Sequence, residues 1–168
     1  VNQEITESLV VWNSESDRKK LNSNAIAWTV DGHDDRSVAF AARLMELGVN
    51  VRVVDESTKL NGIRISRGSV FVTSVDNPNL INLKELISRE SKDLEINVSS
   101  ITSGYGDGDL PDWGGRHFRL LKKPQIAILS HSGFNSYDVG ASWWIIDHHL
   151  GIRHSQINAA FMNRADLR

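Results

Sequence analysis

Acidic and imidazole side chains follow the first apolar run of the chain, residues 25–30. That run predicts a buried strand, and Asp31, His33, Asp34 and Asp35 come directly after it. Open α/β sheets usually bind ligands where their strands end, and these residues offer oxygen and imidazole donors. No second cluster has recognisable metal-ligand spacing, so capping of the next helix by an aspartate is the simpler interpretation. A weak ligand site in this loop is the alternative.

A second group with metal-binding residue types is the triplet Asp147-His148-His149. It matches the Asp-His-His signature of metal-dependent phosphoesterases, which needs further aspartate-rich segments from other loops. The triplet stands in the last turn of a predicted helix, before Gly151, where histidines interact favourably with the helix dipole. We expect a structural role, and a phosphoesterase using Asp147 and His148 is a third hypothesis for function.

Asp107, Asp109 and Asp112 give the segment GDGDLPD the carboxylate density of a calcium loop. The EF-hand spacing fails, because Pro111 and Asp112 stand where Asp or Asn followed by glycine is required. Five glycines lie in residues 103–123, the densest group of turn-forming residues in the chain. This composition predicts a solvated connector.

Ser130, His131 and Ser132 have the residue types of a nucleophile and its base, at the end of a predicted strand. The sequence LSHSGFN departs from the G-x-S-x-G turn of α/β-hydrolases. The turn at residues 130–135 could hold an anion on backbone N–H groups of the next helix, although the glycine-rich dinucleotide pattern is missing.

Trp143 and Trp144 are neighbours on that last predicted helix. Adjacent helical residues point about 100° apart, so at most one indole faces the centre of a core. Core packing is the simpler interpretation, and aromatic binding of sugars or peptides is the alternative.

Strands and helices alternate around these groups. Apolar residues at positions 38, 41, 42 and 45 have helical spacing, which predicts a helix over about 35–47 with Asp34 or Asp35 at its N-cap and Gly48 after its end. The valines of VNVRVVD alternate as in a strand. Residues 25–55 are therefore predicted to form one βαβ unit.

The Asn61-Gly62 pair predicts a turn, and the segments SVFVTSV and INVSSIT predict strands on either side of an amphipathic helix at about 79–94. SLVVW, at residues 8–12, is a further strand candidate. From these units we predict an α/β fold with a mainly parallel sheet.

The segment from Lys122 onward predicts a strand at 124–129, a helix that ends at Gly151 and an extended run at 154–162. These elements begin a parallel, flavodoxin-like βαβ unit, and such a sheet needs more strands to cover its faces. We therefore expect this unit to be truncated and the chain to be part of a larger protein. The predicted domains are residues 1–122, an α/β domain that ends in the connector at 103–123, and residues 123–168.

Composition restricts the class of partner. The 19 basic and 21 acidic residues give a formal net charge of −2, which provides no basic field for nucleic acid. No run approaches 18 apolar residues, so no membrane span is expected. The chain has no cysteine, which excludes disulfides and thiolate chemistry and leaves the compartment undecided.

Several stretches carry a family resemblance: GIRISRGSVFVTSVDN, GDGDLPDWGG, LLKKPQIAILSHSGFNSYDVGASWWIIDHHLGI and the final ADL. Together they resemble the downstream region of large bacterial metallopeptidases related to the M14 zinc carboxypeptidases. In that family a peptidase domain is followed by an α/β region and by a domain similar to class I glutamine amidotransferases. The resemblance covers about residues 25–168, and its most specific part is the strand at 124–129 with the helix carrying Gly140, Trp144 and Asp147.

The resemblance implies a noncatalytic accessory region of such a metallopeptidase. M14 enzymes hold zinc with an H-x-x-E pair and a distant histidine, and none of the six histidines here is followed three positions later by glutamate. The amidotransferase-like part ends before the turn that would carry a nucleophile. We therefore assign no catalytic, cofactor-binding or metal-binding residue, and expect zinc only in a catalytic domain outside these residues.

That catalytic domain, in the same polypeptide, is the expected partner, with a peptide substrate as a second partner. A periplasmic or secreted location follows from the resemblance alone. The alternative function is an independent small-molecule or peptide-binding α/β module with its pocket at residues 31–35 or 130–135. The open edge of the C-terminal sheet also predicts self-association.

Overall fold

A computed structural model describes residues 21–131 and 133–164 of the chain. The strand candidate at residues 8–12, and Ser132, lie outside the described residues. The strands in chain order are β1 (Ala27–Val30), β2 (Arg52–Val54), β3 (Thr58–Leu60), β4 (Ile63–Ile65), β5 (Val70–Thr73), β6 (Ser99–Ile101), β7 (Phe118–Leu120), β8 (Ile126–Ser130) and β9 (His154–Asn158). The helices are α1 (Arg36–Glu46), α2 (Leu83–Asp93), α3 (Ser136–Trp144), a π-helix (Ile145–Leu150) and a 3₁₀-helix (Ala159–Arg164).

The main sheet has five strands in the order β6-β1-β5-β2-β7, and each neighbouring pair is antiparallel. The prediction of a mainly parallel sheet is therefore wrong. β1 and β2 run in the same direction, as a βαβ unit requires, but β5 lies between them and pairs with both. The hairpin β3-β4 reverses the chain after β2, which brings β5 back beside β2 in the opposite direction.

One face of this sheet is covered by α1 and α2. Phe40 and Leu44 of α1 and Ile87 of α2 are buried against Val30 and Val72 of the sheet. Apolar residues that recur with helical spacing make this packing, and their removal from water is the main stabilising contribution. α1 begins beside Asp34, whose Oδ1 accepts a hydrogen bond from the N–H of Arg36 at 3.1 Å. After its end, Gly48 has a φ of +83°.

The other face is covered by the hairpin β3-β4 and by the glycine-rich segment that precedes β7. Leu60 and Ile65 of the hairpin are buried with Phe71 and Phe118. Trp113 packs edge-on against Phe71, with ring centroids 5.8 Å apart. Part of the predicted connector at 103–123 thus covers the sheet, and β7 within it forms an edge strand of the sheet.

The C-terminal elements form a separate two-stranded sheet in which β8 and β9 are parallel, with α3 and the π-helix between them in sequence. Gly151 follows the π-helix with a φ of +65°. The π-helix packs against α1, and the guanidinium of Arg43 donates a hydrogen bond to the carbonyl of His149 at 3.3 Å. No residue of α3 is buried, and Trp144 is 56% exposed.

No helix in the described part of the chain is both long and apolar enough to cross a membrane.

Candidate functional site

Two loops with carboxylate and imidazole side chains meet at one end of the five-stranded sheet. β1 and β2 point the same way because each is antiparallel to β5. Asp31 follows β1, and Asp55 follows β2. With about 4.8 Å between neighbouring strands, the residues that follow β1 and β2 lie about 10 Å apart. We call the surface formed by Asp31, His33, Ser66, Asp55, Glu56 and His117 the polar end.

Asp31 is the centre of a hydrogen-bond network on one side of the polar end. Its Oδ1 accepts hydrogen bonds from Ser66 Oγ at 2.5 Å and from the N–H of His33 at 3.1 Å, and it lies 3.0 Å from His33 Nδ1. The hydrogen bond from Ser66, followed by those from His33, lowers the pKa of Asp31 from 3.8 to about 2. Asp31 is therefore ionised at neutral pH.

The backbone around this network is closely packed. Ser69 Oγ lies 3.1 Å from Ser66 Oγ and accepts a hydrogen bond from the N–H of Gly32 at 3.2 Å. A β-carbon at Gly32 would lie only 2.3 Å from the carbonyl carbon of Gly68. The loop after β1 can therefore contact the turn before β5 only because residue 32 has no side chain.

His117 occupies the other side of the polar end, at the start of β7. Its Nδ1 lies 2.8 Å from Asp55 Oδ1 and 3.1 Å from Glu56 Oε2. Its Nε2 accepts a hydrogen bond from Arg116 Nε at 3.1 Å. The pKa of Asp55 is lowered, chiefly by the hydrogen bond from His117, with a further contribution from the charge of Arg119. These bonds favour the tautomer that carries its proton on Nδ1.

The order of the groups decides what chemistry the polar end can perform. In nucleophilic catalysis a hydroxyl contacts an imidazole, and a carboxylate orients that imidazole from its other side. Here the carboxylate of Asp31 lies between the hydroxyl of Ser66 and the imidazole of His33. At His117 the nitrogen that would accept a proton is already bonded to Arg116. The arrangement therefore suits ligand binding better than covalent catalysis.

The described residues leave acceptor atoms at this surface without a hydrogen bond. All the hydrogen bonds that Asp31 accepts from described residues fall on Oδ1, so Oδ2 is open to a ligand. The Asp31 side chain is 64% exposed, and that of Glu56 is 58% exposed. The polar end therefore presents carboxylate oxygens to solvent, and these accept hydrogen bonds from ammonium, guanidinium or peptide N–H groups.

The other residues of the predicted site at 31–35 have structural contacts. Asp34 forms an ion pair with Arg36 at 2.7 Å, and the hydrogen bond from Arg36 lowers the pKa of Asp34. Asp35 occupies the N-cap position of α1 but makes no capping hydrogen bond through its side chain. The structure therefore brings only Asp31 and His33 of this loop into the polar end, and Asp34 serves the start of α1.

Of the aspartates in the glycine-rich segment, Asp107 contacts the hairpin and Asp112 makes a bond within the loop. Asp107 accepts a hydrogen bond from the N–H of Gly62 at 3.2 Å and lies 3.5 Å from the ammonium of Lys59. Asp112 accepts one from the N–H of Gly106 at 2.6 Å. Asp109 is exposed. These contacts give two of the three carboxylates a structural role.

Ser130 and His131 are in contact, with 2.8 Å between Ser130 Oγ and His131 Nδ1. Ser130 is only 5% exposed, whereas His131 is exposed and has a φ of +70°. The Ser130 hydroxyl also lies 3.5 Å from the carbonyl of Ile157, a poor position for a nucleophile. Asn135 caps α3 by accepting a hydrogen bond from the N–H of Tyr137 at 2.9 Å. Ser130 and Asn135 of the predicted site at 130–135 thus make structural contacts.

Asp147, His148 and His149 lie in the π-helix and are exposed. The His148 ring packs edge-on against Trp143 at 5.3 Å, and its centroid lies 6.0 Å from that of Trp144. Among the described residues, no group of three or more His, Asp or Glu side chains is arranged to hold a metal ion. Within the triplet, His148 therefore has aromatic contacts, and no described side chain supplies the further ligands that a two-metal site requires.

Sequence reasoning missed the pair Asp55 and His117, which are 62 positions apart. His117 reaches the polar end because it directly precedes β7. The three residues of β7 follow a glycine-rich segment, whose composition indicated a connector. No periodic signal marks so short a strand. The only signal that could have pointed to Asp55 is its position as the last residue of the predicted strand at 49–55, which is close to the argument that singled out Asp31.

Comparison with known proteins found no matching family model, no matching curated protein and no matching solved structure.

Proposed function

We propose that this chain is a noncatalytic α/β module that serves a zinc carboxypeptidase-like metallopeptidase of the M14 type. The M14 resemblance of the sequence suggests the enzyme, whose catalytic domain lies outside these residues. The polar end is the surface that contacts a peptide, either the substrate or a segment of the catalytic domain. The contact is made by hydrogen-bond donors of that peptide, including basic side chains.

The order Ser66–Asp31–His33 is the observation that carries this proposal. A carboxylate held by a serine and a histidine, with no hydrogen bond from a described residue on Oδ2, is fixed in one orientation and ready to accept a donor. Ser66 and His33 already restrict the Asp31 side chain. The protein therefore loses little conformational entropy when a ligand binds. The same order places the Ser66 hydroxyl on a carboxylate of lowered pKa instead of on an imidazole, which supports binding rather than catalysis.

The noncatalytic part of the proposal is tested with the purified 168-residue chain. We expect no stoichiometric zinc by elemental analysis and no release of C-terminal residues from a blocked tripeptide with a free carboxyl terminus. Robust release that a chelator abolishes would contradict the proposal.

The binding part is tested by NMR titration with a short peptide that contains lysine and arginine. We expect amide shifts at residues 31–33 and 55–57, because these loops carry the free carboxylate oxygens. Asp31→Asn should weaken the binding, whereas Asp93→Asn, a matched change at the exposed end of α2, should leave it unchanged. Absence of shifts at the polar end, or equal binding by Asp31→Asn, would refute it.

An independent small-molecule or peptide-binding module is the second candidate function. It is favoured by the same free acceptors, since they need no catalytic domain to bind a ligand. A free peptide that raises the melting temperature of the chain by itself, with no effect of added M14 peptidase, would favour this candidate over the accessory role.

A further inference from the structure

A groove of about 670 Å³ lies between the C-terminal end of α1 and the amino-terminal ends of β8 and β9. It shares no residue with the polar end and lies outside the predicted sites at 31–35 and 130–135. Its charged and polar lining includes Glu46, Lys123, Arg153 and His154, and its apolar lining includes Ile126 and Ile157. A volume of this size suits a small organic molecule.

Glu46 holds two cations at the wall of the groove. Its Oε2 accepts hydrogen bonds from Lys123 Nζ at 2.9 Å and from Arg153 Nε at 2.8 Å, and its Oε1 accepts one from the N–H of Arg153 at 3.3 Å. The Glu46 side chain is 11% exposed, whereas those of Lys123 and Arg153 are 42% and 82% exposed. The carboxylate is therefore largely enclosed, and the cations face solvent.

Together, Lys123, Arg153 and Glu46 carry a net charge of +1. Both cations also have N–H groups that Glu46 does not bind. A guanidinium has five N–H donors, and Nε is the only one on Arg153 with a hydrogen bond to a described residue. The planar terminal groups of arginine match a carboxylate in two parallel hydrogen bonds. Glu46 already restricts both side chains. Binding of an anion therefore costs less side-chain entropy here than at unrestrained surface residues.

We propose that this groove binds a small carboxylate with an apolar body. The carboxylate pairs with the outward donors of Arg153 and with the ammonium of Lys123. The apolar body lies against Ile126 and Ile157. A carboxylate fits better than a phosphate, because the groove has a substantial apolar lining and only one positive charge in excess.

The test uses the purified chain and isothermal titration calorimetry. The ligand is N-acetyl-leucine, and its matched controls are N-acetyl-leucinamide, which has the same body without charge, and inorganic phosphate. We expect saturable binding of N-acetyl-leucine and none of the amide. Binding of phosphate alone would overturn the choice of a carboxylate with an apolar body, and equal binding of the amide would overturn the role of the charge.

Substitutions test which residues of the groove bind the carboxylate. Arg153→Gln should weaken N-acetyl-leucine binding by about tenfold or more, since a hydrogen bond between charged groups is lost. Arg164→Gln, on the 3₁₀-helix outside the groove, is the matched control and should bind as the wild type does. Lys123→Gln provides a second variant in case Arg153→Gln loosens the fold. Wild-type binding by both groove variants, with unchanged circular dichroism, would refute the proposal.

Discussion

Glu46 and Arg153 are joined by a hydrogen bond of 2.8 Å although they are 107 positions apart in the chain. Glu46 ends α1, and Arg153 precedes β9 directly. The same carboxylate oxygen also contacts Lys123, which stands shortly before β8. One enclosed side chain thus connects the helix on the main sheet with the starts of both strands of the C-terminal sheet.

We predict that Glu46→Gln destabilises the chain. Burial alone would raise the pKa of Glu46, but the hydrogen bonds from Arg153 and Lys123 outweigh it and the pKa is lowered. The neutral amide keeps the shape but loses the charge that both cations contact, so the free energy of unfolding should fall by about 1–2 kcal/mol. Urea denaturation measures it. Glu85→Gln, on the exposed face of α2, is the control and should have little effect, and an equal loss in both variants would contradict the prediction.

Acid should destabilise the polar end through Asp31. The pKa of this carboxyl is lowered to about 2 in the folded chain, from an ordinary value of 3.8. The stabilisation is therefore fully present above about pH 4 and is lost as the pH falls from there through about pH 2. Asp31→Asn should lack this part of the acid dependence. The measurement is urea denaturation of both proteins across that pH range.

Ser66→Ala provides a separate test, because the hydrogen bond from Ser66 is the largest cause of the shift. The pKa of Asp31, followed by NMR titration of its carboxyl carbon, should rise toward 3.8 in this variant. Ser57→Ala, in the neighbouring loop, is the control and should leave it unchanged. An unaltered pKa in Ser66→Ala would show that the hydroxyl does not stabilise the charge.

Two glycine-to-alanine substitutions should have opposite effects. At Gly32 a β-carbon would lie 2.3 Å from the backbone of Gly68, so Gly32→Ala should lower the free energy of unfolding by about 2 kcal/mol or more. Gly140 lies within α3, and a β-carbon there would meet no described atom within 4 Å outside the local helix backbone. Gly140→Ala should raise the free energy of unfolding by about 0.5–1 kcal/mol. Thermal or urea denaturation measures both changes in the free energy of unfolding. A loss of stability in Gly140→Ala would contradict the second prediction and would mean that α3 has a neighbour at this face.

The C-terminal sheet should promote self-association. Among the described residues, β8 and β9 pair only with each other, so each has an open edge. On the adjoining helix, Trp144 is 56% exposed. We expect the sedimentation coefficient to rise with concentration, and Trp144→Lys to reduce that rise. Tyr105→Lys, at an exposed residue before β7, is the control. A monomer at every concentration would contradict the prediction.

Local elements of the fold could be predicted because short-range patterns determine them. The helix predicted over about 35–47 is α1, at Arg36–Glu46, and the Asn61-Gly62 turn connects β3 and β4 with φ values of +49° and +78°. The direction of the strands could not be predicted in the same way. Alternating strands and helices are compatible with parallel and antiparallel sheets, and the insertion of β5 between β1 and β2 depends on contacts across the whole chain.

The sequence by itself determined the helix spacing, the turn residues and the presence of Asp31 and His33 after a buried strand. Only the tertiary structure decided that Asp55 and His117 join them at one end of the sheet, and that Glu46 meets Arg153 beside a groove. The physical reason is the range of the interactions. Side-chain periodicity and turn conformation act over a few residues. The pairing of β2 with β7 and the docking of the π-helix on α1 instead bring together residues that are roughly 60 to 110 positions apart in the chain.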